Sequence, residues 1–194
     1  MSDHWVLTIP NLVSFARLAT VPIFWWLLIA EDDLTAAAVL IIVVGVTDWV
    51  DGYLARRLEQ ASRLGAMLDP IADRVMIASA VVGGLIVGAL PPLIAIPLLV
   101  RESVMAAVTI ILALRKAPPL EVRYLGKLAT FLLYGAIPIF YLGAAGLLES
   151  TLLPIAWVSG VIGLGLYWVV LVQYLGDARS ALADVESAPG SQEN

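Results

Sequence analysis

The chain has 194 residues, of which 61% are hydrophobic and 14% are charged, and its mean hydropathy is +0.94. Soluble domains carry charge on about a quarter of their residues, so the composition excludes a water-soluble globular domain and indicates a protein of the bilayer. The formal net charge is −5, and the absence of cysteine excludes disulfides, thiolate catalysis and cysteine-bound metals.

The apolar runs predict the transmembrane elements. A spanning helix needs about 20 mostly apolar residues, which predicts an all-α membrane protein with six transmembrane helices. The predicted spans are 12–30, 34–57, 65–88, 93–114, 124–148 and 153–176. Residues 1–176 then form the membrane domain, and the polar residues 177–194 are expected to be a disordered C-terminal tail.

The distribution of Lys and Arg predicts the orientation of the bundle. Basic residues flank the loops between spans two and three and between spans four and five, whereas the opposite side carries only acidic residues. The basic set is Arg56, Arg57, Arg63, Arg115, Lys116, Arg123 and Lys127, and the acidic set is Glu31, Asp32, Asp33 and Glu149. Because basic loops stay in the cytoplasm, we expect both termini and both basic loops to be cytoplasmic.

Four aspartates at the ends of the second and third spans carry the functional signal. Asp48 and Asp51 are three residues apart, and Asp69 and Asp73 are four apart, so each pair shares one face of its helix. The two helices are antiparallel neighbours, so the acidic faces can meet. Four adjacent carboxylates require cations. Hard oxygen ligands without nearby His or Cys favour magnesium or manganese over zinc, and two such ions can hold a diphosphate.

Small residues and an arginine accompany the aspartates. Gly52 and Gly65 lie one turn from Asp48 and Asp69, and glycine lets a ligand approach the helix backbone closely. Ala55 is small on the same face. Arg56 can donate two parallel hydrogen bonds to phosphate oxygens.

The spacing Asp-x2-Asp-Gly-x2-Ala-Arg-x8-Gly-x3-Asp-x3-Asp, from Asp48 to Asp73, resembles the signature of the CDP-alcohol phosphatidyltransferase family at all eight defined positions. The resemblance implies a six-helix bundle with an N-terminal amphipathic helix, in a bacterial cell membrane. It also implies that the four aspartates bind two divalent cations, Mg²⁺ or Mn²⁺. In the family the last aspartate, here Asp73, is also the base that deprotonates the acceptor hydroxyl, which attacks the β-phosphorus of a CDP-lipid and releases CMP. The residues implied to contact the CDP-lipid are Asn11, Gly52, Ala55, Arg56, Ser62 and Gly65.

The acceptor is predicted from the basic residues of the second half. The donor implied by the resemblance is CDP-diacylglycerol, and the motifs look like the glycerol-acceptor branch of the family. Arg101, Arg123 and Lys127 are the candidate acceptor-binding residues, although Arg101 next to Glu102 can equally be a structural ion pair. Near its start the fifth span reads Gly-Lys-Leu-Ala-Thr, from Gly126 to Thr130, where phosphatidylglycerophosphate synthases typically have Gly-Lys-x-Lys-Thr. We therefore expect phosphatidylglycerol as acceptor, with glycerol 3-phosphate as the alternative.

Three further interpretations stay open at this point. Acids within membrane helices also mark ion paths, so a small ion-coupled transporter is the main rival class. A structural protein would instead pair its acids with Arg56, Arg63 and Arg74. Gly84-x3-Gly88 predicts close helix packing within the chain, and the resemblance leaves a homodimer as the other use. We expect membrane lipids as partners and no nucleic acid.

Overall fold

The computed structural model describes residues 9–58, 63–118, 120 and 123–187, and within them it describes the side chains outside 9–14, 48–58, 63–71, 184 and 186. The described residues are helical, with no β-strand among them. The helices are α1 (Ile9–Trp25), which continues as a π-helical turn (Trp26–Ala30), α2 (Leu34–Leu58), α3 (Arg63–Ile86), α4 (Pro92–Leu114), α5 (Tyr124–Ala144) and α6 (Glu149–Ser187).

Each predicted span corresponds to one helix, and the main differences lie at the last two. Helix α5 ends at Ala144, because the chain turns through Gly146 with φ +80° and Leu148 with φ +47°. Helix α6 then starts at Glu149 and continues to Ser187. The prediction of a disordered tail from 177 is therefore wrong for residues 177–187, which are helical. Residues 188–194 lie outside the described part of the chain.

Three described helices are long and apolar enough to cross a membrane by length and composition: Pro92–Leu114, Tyr124–Ala144 and Glu149–Ala183. Two shorter apolar helical stretches, Phe15–Ala30 and Leu34–Thr47, precede them. The chain is thus an integral membrane protein with an all-helical fold. The count of six membrane spans stays a prediction.

The helices divide into two compact units, one of residues 1–91 and 136–156 and the other of residues 92–135 and 157–194. In the first unit, α1 packs against both α2 and α3. Phe24 and Leu28 are buried there, and both side chains lie where a side chain on Gly83 of α3 would be. The absence of a side chain at Gly83 is therefore what allows α1 and its π-helical turn to approach α3 so closely.

The two glycines of Gly84-x3-Gly88 have different uses. A Cβ on Gly84 would lie 2.9 Å from Leu90 Cβ and 2.9 Å from Tyr141 Cε2, so this glycine packs inside the first unit. The Tyr141 hydroxyl donates a hydrogen bond of 2.6 Å to the Ala80 carbonyl on the same helix as Gly84. Gly88 instead has φ +75°, which is typical of the turn that ends a helix, and a Cβ there would meet no atom of the described residues within 4 Å. Close packing within the chain is confirmed for Gly84, and the homodimer stays a prediction.

In the second unit, α6 packs against α5. A Cβ on Gly163 would lie 3.0 Å from Leu132 Cβ and 3.0 Å from Leu133 Cγ, so a small residue is required where these helices touch. Tyr167, Val170, Leu171 and Tyr174 are buried farther along α6. Their spacing of three or four residues defines one helix face, and this face carries the polar contacts described below.

Candidate active site

The backbone positions of the four aspartates follow the predicted pattern. Asp48 and Asp51 lie in the unbroken helix α2, and Asp69 and Asp73 lie in the unbroken helix α3. Each pair therefore has the helical spacing that brings two carboxylates onto one face. The side chains of Asp48, Asp51 and Asp69 lie outside the described set, so the meeting of the two acidic faces stays a prediction.

Of the four motif aspartates, Asp73 is the one whose side chain is described, and it contacts Arg17 of α1. Arg17 Nη1 donates to Asp73 Oδ1 at 2.5 Å. The Arg17 side chain is 5% exposed and that of Asp73 is 39% exposed, so the arginine is buried while the carboxylate still reaches open space. Charge-assisted hydrogen bonds are about twice as strong as neutral ones. The contact fixes the position of one oxygen of the predicted base.

Thr20, one turn after Arg17, supports the same junction of α1 with α3. Its hydroxyl donates to the Arg17 carbonyl at 2.6 Å, and it lies 3.9 Å from Met76 Sδ, one turn after Asp73. Met76 is buried. The Arg17–Asp73 pair thus has packed neighbours on both helices, which limits the freedom of its two side chains.

The predicted CDP-lipid contacts fall on three helices. Asn11 lies in α1, Gly52, Ala55 and Arg56 lie in α2, and Gly65 lies in α3. Their side chains are outside the described set, and Ser62 lies outside the described residues altogether. Their role in binding the donor therefore stays a prediction.

Arg101, in the second unit, has the structural partner that the sequence allowed and a second one that it did not reveal. Arg101 Nη1 donates to Glu102 Oε1 at 3.1 Å. The guanidinium also stacks over the Tyr167 ring, with Cζ 3.6 Å from the ring centroid, and the Tyr167 hydroxyl donates to Glu102 Oε1. Arg101 is 6% exposed, and its Nε is one of two buried side-chain polar atoms without a hydrogen-bond partner in the described part of the chain.

Arg123 immediately precedes α5 and is held by α6. Its Nη2 donates to Asp177 Oδ2 at 2.6 Å, and its backbone N–H donates to the Tyr174 hydroxyl at 3.2 Å. The ion pair is open to solvent, with side chains 43% and 41% exposed, whereas Tyr174 is buried. Lys127 lies in the first turn of α5, where its backbone N–H donates to the Arg123 carbonyl at 3.3 Å, and its side chain is exposed. Two of the three predicted acceptor cations, Arg123 and Lys127, therefore lie at the N-terminus of α5, whereas Arg101 lies within α4.

A divalent metal is implied by the resemblance, and the donor set fits it. Two pairs of carboxylates at helical spacing supply hard oxygen ligands, and neither His nor Cys occurs between Thr47 and Arg74. Among the side chains that the structure describes, no group of three His, Cys, Asp or Glu residues lies together. Three of the four predicted ligands are outside that set, so the site itself stays a prediction.

Three partners of the predicted residues were absent from the sequence prediction: Tyr167, Tyr174 and Asp177. Asp177 was assigned to a disordered tail, and the two tyrosines carry no spacing that distinguishes them from lipid-facing aromatics. Arg17 did carry a signal. A lone arginine in an apolar run is costly and requires a partner, but the sequence does not say that the partner is Asp73.

Comparisons with known proteins agree with the motif. The family model for CDP-alcohol phosphatidyltransferase matches residues 7–162. The chain is 40% identical to the CMP-forming cardiolipin synthase of Streptomyces coelicolor over 187 residues, covering 93% of this chain and 87% of the relative. It is 36% identical to a Mycobacterium tuberculosis protein, provisionally named a cardiolipin synthase, over 90% of this chain and 84% of the relative.

A shorter match joins the chain to a second kind of relative. The CDP-diacylglycerol–glycerol-3-phosphate 3-phosphatidyltransferase of Pseudomonas fluorescens is 45% identical over 78 residues, which is 39% of this chain and 40% of that protein. The family match covers well over half of the chain and includes the whole aspartate motif. This protein is an enzyme that belongs to the CDP-alcohol phosphatidyltransferase family.

Proposed function

We propose that the enzyme transfers a phosphatidyl group from CDP-diacylglycerol to phosphatidylglycerol, which yields cardiolipin and CMP. The observation that carries the proposal is the motif of eight defined residues between Asp48 and Asp73, which lies on the two helices α2 and α3. The names of two relatives that match almost the full chain support cardiolipin as the product, and one of the two names also gives CMP as formed.

In this proposal Asp73 is the catalytic base. A carboxylate oxygen of Asp73 takes the proton of the acceptor hydroxyl as the hydroxyl oxygen bonds to the β-phosphorus, and the bond from that phosphorus to the oxygen of CMP breaks. A base must lie within hydrogen-bond reach of the proton it removes. The partial exposure of Asp73 and the fixed position of its Oδ1 on Arg17 support this role.

Members of the family generally use a divalent metal ion, and we propose that Asp48, Asp51, Asp69 and Asp73 hold two such ions, Mg²⁺ or Mn²⁺. Bound there, the ions would neutralise the diphosphate and polarise its phosphorus–oxygen bonds. The four carboxylates would in turn fix the diphosphate between α2 and α3.

The remaining donor contacts are proposed around the same helices. Gly52, Ala55 and Gly65 would leave room for the nucleotide and diphosphate beside the helix backbone. Arg56 would donate a pair of hydrogen bonds to phosphate oxygens. Asn11 on α1 and Ser62 before α3 would complete the pocket.

The preference for phosphatidylglycerol over glycerol 3-phosphate rests on the first turns of α5. Lys127 is present, but Ala129 takes the place of the second lysine of the Gly-Lys-x-Lys-Thr pattern and is fully buried. A phosphate monoester carries up to two negative charges and gains more from a second cation than a phosphodiester does. We propose that Arg123 and Lys127 bind the acceptor phosphodiester, and that Arg101 contributes its Nε, which has no hydrogen-bond partner among the residues that the structure describes.

The proposed topology has six spans with both termini and the active site in the cytoplasm. Two features of the chain order support it. Basic residues lie between α4 and the first turn of α5, namely Arg115, Lys116, Arg123 and Lys127, whereas acidic residues lie before α2 and at the start of α6, namely Asp32, Asp33 and Glu149. Cysteine substitutions at Lys116 and Asp32 would test it, because a membrane-impermeant thiol reagent applied to intact cells should label only the second.

An acceptor screen tests the proposed reaction. Purified protein in micelles receives CDP-diacylglycerol and Mg²⁺ or Mn²⁺ with either phosphatidylglycerol or glycerol 3-phosphate, and released CMP and product lipid mass are measured. We expect CMP release with phosphatidylglycerol and a product with the mass of cardiolipin. Phosphatidylglycerophosphate as the sole product would make glycerol 3-phosphate the acceptor, and no CMP release with either would refute phosphatidyl transfer.

A substitution tests the role of Asp73 in the same assay. Asp73→Asn should abolish turnover while part of the metal-dependent binding of CDP-diacylglycerol remains, because the amide cannot accept the proton but still offers an oxygen. Asp32→Asn is the matched control, since Asp32 lies in the exposed turn before α2 with φ +52°. Full turnover by Asp73→Asn would remove this residue from the role of base.

A further inference from the structure

The end of helix α6 contacts the start of helix α5, and both belong to the second unit. Helix α6 has 39 residues, which at 1.5 Å per residue is about 58 Å, well beyond the roughly 30 Å hydrocarbon layer. The part from Asp177 to Ser187 is more polar than the rest of the helix and carries the charged residues Asp177, Arg179, Asp184 and Glu186. This extension is where α6 reaches Arg123.

Helix α6 contacts Arg123 both at its backbone and at its guanidinium group. The Tyr174 hydroxyl accepts the hydrogen bond of the Arg123 backbone N–H, and the Asp177 carboxylate accepts that of the guanidinium Nη2. Tyr174 and Asp177 are three residues apart on α6, so they lie on one helix face. The same face packs on the first turn of α5, because a Cβ on Gly126 would lie 3.5 Å from Val170 Cγ1 and 3.6 Å from the Tyr174 hydroxyl.

An arginine with a long, exposed side chain ordinarily samples many rotamers, and fixing it costs free energy on binding. A partner that already holds the guanidinium reduces that cost for an incoming anion. Buried Tyr174 fixes the backbone of Arg123, and Asp177 fixes its head group. The carboxylate also lies near the positive end of the α5 dipole, which favours a negative charge there.

We infer that Asp177 and Tyr174 are positioning residues that orient Arg123 toward the phosphodiester anion of the acceptor. The inference rests on the proposed function, in which Arg123 binds that anion. It assigns the α6 extension a role in acceptor affinity. Donor binding and the role of Asp73 as base are not expected to depend on this extension. Loss of the Asp177 carboxylate should therefore change the KM for the acceptor and leave kcat and the KM for CDP-diacylglycerol unchanged.

The test compares Asp177→Asn, Asp177→Glu and Tyr174→Phe with the unaltered chain, using phosphatidylglycerol in mixed micelles at fixed surface charge. An exposed ion pair has a modest effect, so Asp177→Asn should raise the acceptor KM about two- to fivefold. Asp177→Glu should recover most of the affinity, because it restores the charge. Tyr174→Phe should raise the same KM without altering kcat.

The matched control is Glu186→Gln, which neutralises a carboxylate of the same helix nine residues farther on, about 14 Å along the axis. It should leave all three constants unchanged, which separates position from net charge. An acceptor KM that is unchanged or lowered in Asp177→Asn overturns the inference, since a lowered value means that Asp177 competes with the anion. A parallel fall of kcat and thermal stability in all variants overturns it in favour of a structural role. Absence of CMP release by the unaltered chain is a different result and overturns the proposed function instead.

Discussion

Replacing Arg17 by leucine should lower both turnover and stability. Removing one partner of a buried ion pair costs about 3–5 kcal/mol. The Asp73 side chain is 39% exposed and can be hydrated again once Arg17 is removed. We therefore expect the free energy of unfolding to fall by about 1–2 kcal/mol. Turnover should be strongly affected, because displacement of a reacting group by about 1 Å can reduce the rate about 100-fold. We expect kcat to fall about 10- to 100-fold through the displaced Asp73 carboxylate.

The assay is CMP release at saturating CDP-diacylglycerol and acceptor, with Arg17→Lys and Arg179→Leu measured alongside. Arg17→Lys keeps the charge but not the planar guanidinium geometry, so it should retain intermediate turnover. Arg179 is exposed near the end of α6 and serves as the control for loss of an arginine. Turnover by Arg17→Leu equal to that of the Arg179→Leu control would refute the argument that Arg17 positions the base.

A double-mutant cycle separates the pair from other effects of each substitution. Thermal unfolding in micelles is compared for Arg17→Leu, Asp73→Ala and the double variant, since alanine leaves no acceptor for the Arg17 guanidinium. If the 2.5 Å contact is the source of the loss, the two substitutions should be coupled by about 1 kcal/mol or more, because each already removes the interaction. Simple additivity of the two losses would mean that the contact contributes little to stability.

Two backbone predictions follow from glycine and turn geometry, both read by thermal unfolding in micelles. Gly84→Ala should destabilise the protein by about 1–3 kcal/mol, since its Cβ would meet Leu90 and Tyr141 at 2.9 Å. Gly135→Ala should be neutral or stabilising, since a Cβ there would meet no atom within 4 Å in the described part of the chain. Equal effects of the two substitutions would contradict the packing argument. Lys116→Gly should stabilise by about 1 kcal/mol, because Lys116 has φ +52° after the end of α4 and glycine adopts this conformation without strain; a lower melting temperature would contradict it.

The sequence predicted the helices well because apolar runs, loops and prolines mark them independently of tertiary contacts. Pro92 starts α4, one residue before the predicted span, since proline is favoured in a first helical turn. The error at the end of α6 has a clear cause. Hydropathy reports where the apolar run ends, but Asp177 to Ser187 is rich in alanine, which continues a helix readily in water. Ala178 is buried, so packing stabilises the extension as well.

The sequence predicted which residues of the candidate site share one helix face, but not their partners on other helices. Helical periodicity places Asp69 and Asp73 on one face of α3 from the sequence alone. Asp73 contacts a residue 56 positions away in α1, and Arg123 contacts one 54 positions away in α6. Many carboxylates and cations have such separations, and only the packing of helices selects one pair. A buried arginine therefore predicts that a partner exists without identifying it.

The contacts of Arg101 bear on whether this residue serves only the structure or also binds the acceptor. Adjacent residues on a helix point in different directions, so Glu102 alone is a poor partner for Arg101. Tyr167 compensates, because its ring stacks on the guanidinium and its hydroxyl holds the Glu102 carboxylate. A cluster serving only to neutralise a buried charge would be expected to satisfy every donor, since an unpaired buried one costs about 1–3 kcal/mol. Nε is buried without a hydrogen-bond partner among the described residues, and the proposed contact with the acceptor would supply one.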